Sequence, residues 1–207
     1  MTATSFDPAW EKTHAEREWG TIPEPRVIEF MERQWPHKAQ RRTVRVLDLG
    51  TGAGAQAFGL AKLGFVATGV DRSAAAIFRC LKRRKEVDDG YMIEFKCRNV
   101  TDLCFYPALF DAVIDCVTLQ HLGWDNARKA VREAIYVLKP GGWFLSLAAA
   151  DDYDLSIPSP SPVRTIAEDK IGDLYEGFRD VTYDRTSHVS RRGHKVSWWQ
   201  IEAKKSI

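Results

Sequence analysis

The stretch Val44-Arg45-Val46-Leu47-Asp48-Leu49-Gly50-Thr51-Gly52-Ala53-Gly54-Ala55-Gln56 decides the reading of this chain. A β-branched and leucine run gives way to three alternating glycines. These lead into the helix-forming segment Ala55–Leu63. The order is strand, tight turn, helix start. Glycine permits the sharp turn and lets a ligand lie against peptide groups with no Cβ in the way. The helix start behind it offers free N–H groups and the positive end of a dipole. The stretch reads as a seat for a nucleotide-like ligand.

Working outward from it, strands and helices alternate. Gly64 stops the first helix, Phe65–Val70 is a second strand ending at Asp71, and Ser73 suits the N-cap of a helix Ala74–Glu86. Asp88-Asp89-Gly90 is a turn, Tyr91–Cys97 a third strand and Phe110–Cys116 a fourth, apolar enough to be buried on both faces. Asp125 is placed to cap a helix Asn126–Leu138, which Lys139-Pro140-Gly141-Gly142 stops before a fifth strand, Trp143–Ala149. The alternation predicts an α/β domain with a parallel sheet and right-handed crossovers. Beyond it, Asp151–Pro162 reads as a surface loop or lid rich in proline and serine, and Thr165–Tyr175 as a helix. Phe178–His188 and His194–Ala203 read as strands of a hairpin turning at Arg192-Gly193. Ahead of the first strand, Trp10–Trp19 reads as a charged amphipathic helix. Arg26–Trp35 is a second, with Val27, Phe30 and Met31 on one face, and a polar linker follows.

With 207 residues, 44% hydrophobic and 11% aromatic, the chain suits one folded domain. We divide it into a helical cap (1–43), a ligand-binding core (44–149) and a lid loop, helix and hairpin (150–207). A net charge of +2 gives no bulk attraction to nucleic acid or an anionic membrane. Cys80, Cys97, Cys104 and Cys116 form no CxxC pair and are read as reduced thiols, with no zinc site. The first residues lack an apolar core for a secretory signal, and the longest apolar run, Trp143–Ala150, is far short of the ~20 residues that span a bilayer. A cytoplasmic location is expected.

Read alone, Gly50-x-Gly52-x-x-Ala55 with Asp71 downstream also fits a dinucleotide fingerprint, so an NAD-dependent oxidoreductase is the alternative enzyme. Three features oppose it. An acidic residue precedes the glycines in Asp48-x-Gly50-x-Gly52-x-Gly54, the chain ends in a hairpin, and no second domain holds a hydride acceptor.

Four segments in order resemble the motifs of class I S-adenosylmethionine (SAM)-dependent methyltransferases. They are Val46–Gly54, Gly69-Val70-Asp71-Arg72-Ser73, Phe110–Asp115 and Val137-Leu138-Lys139-Pro140-Gly141-Gly142. The Trp10-x(8)-Trp19-Gly20 segment resembles small-molecule members with a helical cap before the first strand. The resemblance implies a Rossmann-like three-layer sandwich. Its seven-stranded, mostly parallel sheet has order 3-2-1-4-5-7-6, with strand 7 antiparallel. It implies SAM as cofactor and S-adenosyl-L-homocysteine as product. It assigns Gly50, Thr51, Gly52 and Gly54 to close approach of the methionine part, and Asp48 to fixing the turn or meeting the amino group. Asp71 would accept from the ribose hydroxyls, and Asp115 would offer its backbone carbonyl to the amino group. Arg72 lies against the adenine or points to solvent. After strand three the family usually has an acidic residue for the adenine amino group. The aligned position here is Asn99, with the Val100 N–H beside it, and Asp102 is the alternative.

In such a fold the acceptor approaches at the carboxyl ends of strands four and five. No Asn-Pro-Pro-aromatic or Asp-Pro-Pro-aromatic run follows strand four, which disfavours methylation of DNA bases. His121 is the candidate general base, since imidazole titrates near neutrality; packing of its loop, or capping of the next helix, is the competing role. Trp10, Trp19 and Tyr153 are candidate walls of a substrate site, with core packing as the alternative for the tryptophans. The basic hairpin is a solvated turn or an anion contact. The expected acceptor is a small molecule or a sugar- or lipid-linked metabolite. A non-catalytic SAM-binding sensor or partner subunit is the remaining alternative.

Overall fold

In the computed structural model, residues 8–17, 20–87, 90–190 and 192–207 are described. Trp19, the Asp88-Asp89 turn and Arg191 lie outside the described residues.

The parallel part of the sheet is built from β1 (Arg45–Leu49), β2 (Val66–Asp71), β3 (Ile93–Cys97), β4 (Phe110–Cys116) and β5 (Leu138–Ala149). A hairpin of β6 (Arg179–Val189) and β7 (Lys195–Lys204) completes it. The order is β3-β2-β1-β4-β5-β7-β6, and β7 runs antiparallel to both β5 and β6. This is the expected order and orientation.

Alternate residues of the central strands enter two cores, as the twofold period of a strand requires. Leu47, Val113 and Phe144 face one core with Ala130, Val131 and Leu174. Val46, Ile114 and Leu145 face the other with Val27, Phe30 and Phe58. Helices therefore cover both faces. α2 (Pro25–Gln34), α4 (Ala55–Lys62) and α5 (Ala74–Arg84) lie on one side, and α6 (Trp124–Val137) and α7 (Ile171–Leu174) on the other. α1 (Pro8–Glu16) packs on α5, and a single helical turn, α3 (Lys38–Arg41), interrupts the expected polar linker.

Ser73 caps α5 as expected, its hydroxyl accepting the Ala76 N–H at 3.1 Å. Three expectations fail. α6 is capped at Gly123, two residues earlier than Asp125 implied, and Asp125 sits inside its first turn. β5 starts at Leu138, directly behind α6, because Leu138 pairs with Phe110. The Lys139–Gly142 segment is absorbed as a register shift in that pairing and does not separate helix from strand. The Thr165–Tyr175 segment is helical only from Glu168, as a 3₁₀ turn (Glu168–Lys170) followed by α7. Upstream of that, the Ile166 N–H is held by the Ala149 carbonyl and the Ile166 carbonyl by the Trp199 indole, which leaves nothing for a helix to bond.

Candidate active site

The carboxyl ends of β1, β2 and β4 open into a cleft enclosing about 1050 Å³ of atom-free space, its solvent mouth included. The glycine turn is the floor. Gly50 and Gly52 have φ of +62° and +53°, which only glycine adopts without strain. A Cβ on Gly50 would come within 2.5 Å of the Thr118 methyl carbon. The Thr118 hydroxyl donates to the Leu49 carbonyl at 2.8 Å, so the loop after β4 is bonded onto the turn after β1. Gly54 occupies the N-cap of α4.

Two carboxylates hold this floor. Asp48 is 2% exposed, and its Oδ2 accepts from the Thr51 hydroxyl at 2.5 Å. Burial pushes its pKa up to about 7. Asp71 Oδ2 accepts the Gly52 N–H at 2.9 Å and its Oδ1 accepts the Ser73 N–H at 2.8 Å. Burial raises its pKa, and the two backbone donors oppose that rise. A carboxylate has about four acceptor positions, so Asp71 keeps capacity toward the cleft that it lines.

Arg72, Asn99 and Val100 line the same cleft. Asn99 Oδ1 accepts the Thr101 N–H at 3.1 Å. Asp102, the alternative to Asn99, is exposed and turned toward Cys104, whose Sγ lies 3.1 Å from its carboxylate.

Asp115 does not line the cleft. Its side chain is fully buried and anchors the β4 loop from beneath, accepting from the Thr118 and Leu119 N–H groups at 2.9 and 3.1 Å and from the Ser146 hydroxyl at 2.6 Å. Burial lifts its pKa to about 6. The residues that β4 and its loop present to the cleft are Cys116, Val117 and Thr118. Tyr153 is also displaced from its expected place. Its ring packs on Trp198 with centroids 5.1 Å apart, and the 151–162 loop reaches the cleft region through Ser161 and Pro162 instead. The physical reason lies in the loop's other end, where Asp151 and Asp152 pair with Arg185 of the hairpin and Asp154 pairs with His194.

The far side of the cleft is aromatic. Trp10 and His121 both line it, in a T-shaped contact with centroids 5.0 Å apart. Trp10 Nε1 donates to the Ser161 hydroxyl at 2.9 Å, and that oxygen lies 3.1 Å from His121 Nδ1. His121 Nδ1 is also 3.2 Å from the Pro162 carbonyl. His14, Gln56 and Thr118 line the cleft as well, and the sequence reading passed over them. For His14 a signal existed, since it stands one helical turn after Trp10 and so shares its face.

The arrangement can take a cationic ligand. An acidic floor of bare peptide groups faces a tryptophan ring, and both carboxylates and aromatic faces attract cations. The comparisons agree. Residues 46–142 match the family model described as a methyltransferase domain. By this match, residues 46–142 carry a methyltransferase domain.

Among curated relatives, this chain is 30% identical over 120 residues to the ubiquinone biosynthesis O-methyltransferase of Chromobacterium violaceum, covering 58% of this chain and 48% of that protein. It thus spans about half the length of the curated relatives it matches. In fold it resembles a SAM-dependent methyltransferase of Methanosarcina mazei, with a TM-score of 0.69, 21% identity and coverage of 79% and 92% of the two chains. It also resembles phosphoethanolamine N-methyltransferase 2 of Haemonchus contortus, solved with phosphomonomethylethanolamine and S-adenosylhomocysteine. There the TM-score is 0.71 at 18% identity, covering 96% of this chain and 56% of that one.

Proposed function

We propose that this protein transfers the methyl group of SAM to a small molecule or a sugar- or lipid-linked metabolite and releases S-adenosylhomocysteine. The observation that carries the reading is a single cleft. It joins the glycine turn and Asp71 at one end to Trp10 and His121 at the other. The names of two similar proteins, one from ubiquinone biosynthesis and one for phosphoethanolamine, agree with a small or lipid-linked acceptor.

Bound SAM supplies a methyl group already activated on a sulfonium. The chain has to orient the acceptor, exclude water and take up a proton. Gly50, Thr51, Gly52 and Gly54 receive the methionine part against bare backbone. Asp48 holds Thr51 and thereby the turn. Asp71 accepts from the ribose hydroxyls while gripping Gly52. Val100 offers its N–H to an adenine ring nitrogen, Asn99 meets the adenine edge, and Arg72 covers the adenine face.

His121 is the general base. A carbonyl can only accept, so the 3.2 Å approach of the Pro162 oxygen assigns the ring proton to Nδ1. Nε2 then carries the lone pair, with the Gln120 amide nitrogen 3.4 Å away. Trp10 walls the acceptor and excludes water.

Calorimetry with S-adenosylhomocysteine and with NAD tests the cofactor. Binding of the first alone supports the reading, and binding of NAD alone would replace it with a dehydrogenase. Incubation with methyl-labelled SAM and a metabolite extract should yield a labelled product. Firm SAM binding with no product from any extract would make this a sensor. His121→Ala should abolish most turnover and leave cofactor affinity intact.

A further inference from the structure

His14 is the buried side chain of the cleft that the cofactor roles above leave unused. It comes from α1, outside the matched domain. Its residue is 3% exposed, and the Cε1–Nε2 edge of the ring faces Gly52. A Cβ on that glycine would lie 3.3 Å from Cε1 and 3.8 Å from Nε2. Any larger residue at position 52 would press on this ring. His14 therefore forms the roof over the part of the turn that Asp71 grips.

The ring is held firmly. It stacks on Trp10 with centroids 5.7 Å apart and planes 25° from parallel. The Arg79 guanidinium donates to the His14 carbonyl and, at 3.0 Å, to the Ala15 carbonyl. Glu11 accepts the Ala75 N–H of α5 at 3.1 Å. These bonds seat α1 on α5 with the imidazole turned over the glycines.

Nδ1 of this ring is buried and has no hydrogen-bond partner among the described residues. A buried N–H without an acceptor costs more than a bare ring nitrogen that can still be approached by apolar groups, because an unmet donor forfeits its full hydration. The proton therefore sits on Nε2. Desolvation also lowers the pKa of the ring, with Arg79 acting in the same direction and Asp71 and Glu11 opposing, so the neutral Nε2–H form is the working state.

We propose that His14 is a cofactor ligand, donating its Nε2–H to an oxygen of the bound cofactor from the roof of the glycine turn. This rests on the SAM reading above. It makes the helical cap part of the cofactor site and not only a cover for the acceptor.

The test is calorimetry with S-adenosylhomocysteine and with 5′-methylthioadenosine, which lacks the amino-acid end. His14→Ala should weaken S-adenosylhomocysteine binding about tenfold or more, and His14→Gln, which restores an N–H donor, should recover much of the loss. Equal loss for both ligands places the accepting oxygen on the ribose; loss for the homocysteine adduct alone places it on the carboxylate. Either pattern supports the assignment. In wild-type protein carrying ¹⁵N-labelled histidine, the His14 ring should show the Nε2–H tautomer, and that proton should move downfield on adding S-adenosylhomocysteine. This second measurement holds even if His14→Ala folds poorly. Wild-type binding with His14→Ala affinity unchanged, or a bound state protonated at Nδ1, would overturn the assignment and leave the SAM reading standing. A wild-type protein that binds no S-adenosylhomocysteine would overturn both.

Discussion

The Asp71 carboxylate accepts the Gly52 N–H at 2.9 Å, so the end of β2 holds the turn that follows β1. One side chain thus shapes the floor of the cleft and lines it. Asp71→Ala should remove both contributions. The expected result is a loss of S-adenosylhomocysteine affinity of more than about tenfold together with about 1–3 kcal/mol of stability, the usual cost of stranding backbone donors. Titration calorimetry and urea unfolding measure the two. Lost stability with unchanged affinity would reduce Asp71 to a brace.

Gly50 and Gly141 separate backbone strain from crowding. Both have positive φ, +62° and +73°. A Cβ on Gly141 meets open space, whereas one on Gly50 strikes Thr118. Gly141→Ala should cost about 1–2 kcal/mol, the penalty of the left-handed region alone. Gly50→Ala should cost about 2–5 kcal/mol, since overpacking adds to that penalty. Replacing Thr118 by Ala in the Gly50→Ala background should recover part of the loss, a coupling that a double-mutant cycle reads directly. Equal costs at the two glycines would show that Thr118 yields freely.

Asp48 and Asp115 set a pH dependence of definite sign. Burial raises them to about 7 and about 6, while an unfolded carboxylate titrates near ~4. Between those values the folded chain binds more protons than the unfolded chain, so their contribution to stability falls as pH rises. Asp154 works the opposite way. Hydrogen bonds from Ser156 and His194 hold it at about 2, and its contribution is lost only as pH falls through the acid range. Asp48→Asn keeps an oxygen for Thr51 and removes the charge. It should flatten the decline in unfolding free energy between about pH 4 and pH 7. An unaltered slope would mean that Asp48 is ionised throughout.

Ser146 is the hinge of a buried chain. It donates to Asp115 at 2.6 Å and accepts from the Tyr175 hydroxyl at 2.8 Å. Ser146→Ala strands both neighbours and should cost about 2–4 kcal/mol; Tyr175→Phe leaves the Ser146–Asp115 bond intact and should cost about 1–2 kcal/mol. Urea unfolding of the two variants ranks them. The reverse order would mean that ring packing, not the hydrogen-bond chain, dominates at Tyr175.

Local chemistry was readable where neighbours in sequence settle it. β4 spans Phe110–Cys116 as its apolar run implied, and the Ser73 cap follows from one hydroxyl beside one helix start. The reading failed where a distant partner intervened. Ile166 is drawn into a bridge with Ala150, and Leu138 is pulled onto Phe110 before any break in the chain. Tyr153 was expected at the substrate for the same reason, since a loop aromatic looks available until Trp198 claims it. Asp115 was expected to offer its backbone carbonyl at the end of β4, where Cys116, Val117 and Thr118 line the cleft instead.

The glycine turn and Asp71 at the end of β2 were determined by the sequence alone. Each depends on backbone conformation or on periodicity within a few residues, and those are local properties. Only the tertiary structure decided that Asn99 and not Asp102 faces the cleft, that Ser161 joins Trp10 to His121, and that His14 roofs Gly52. These contacts join the first helix, the β4 loop and the 151–162 loop. Their geometry exists only once two packed cores have fixed the sheet between them.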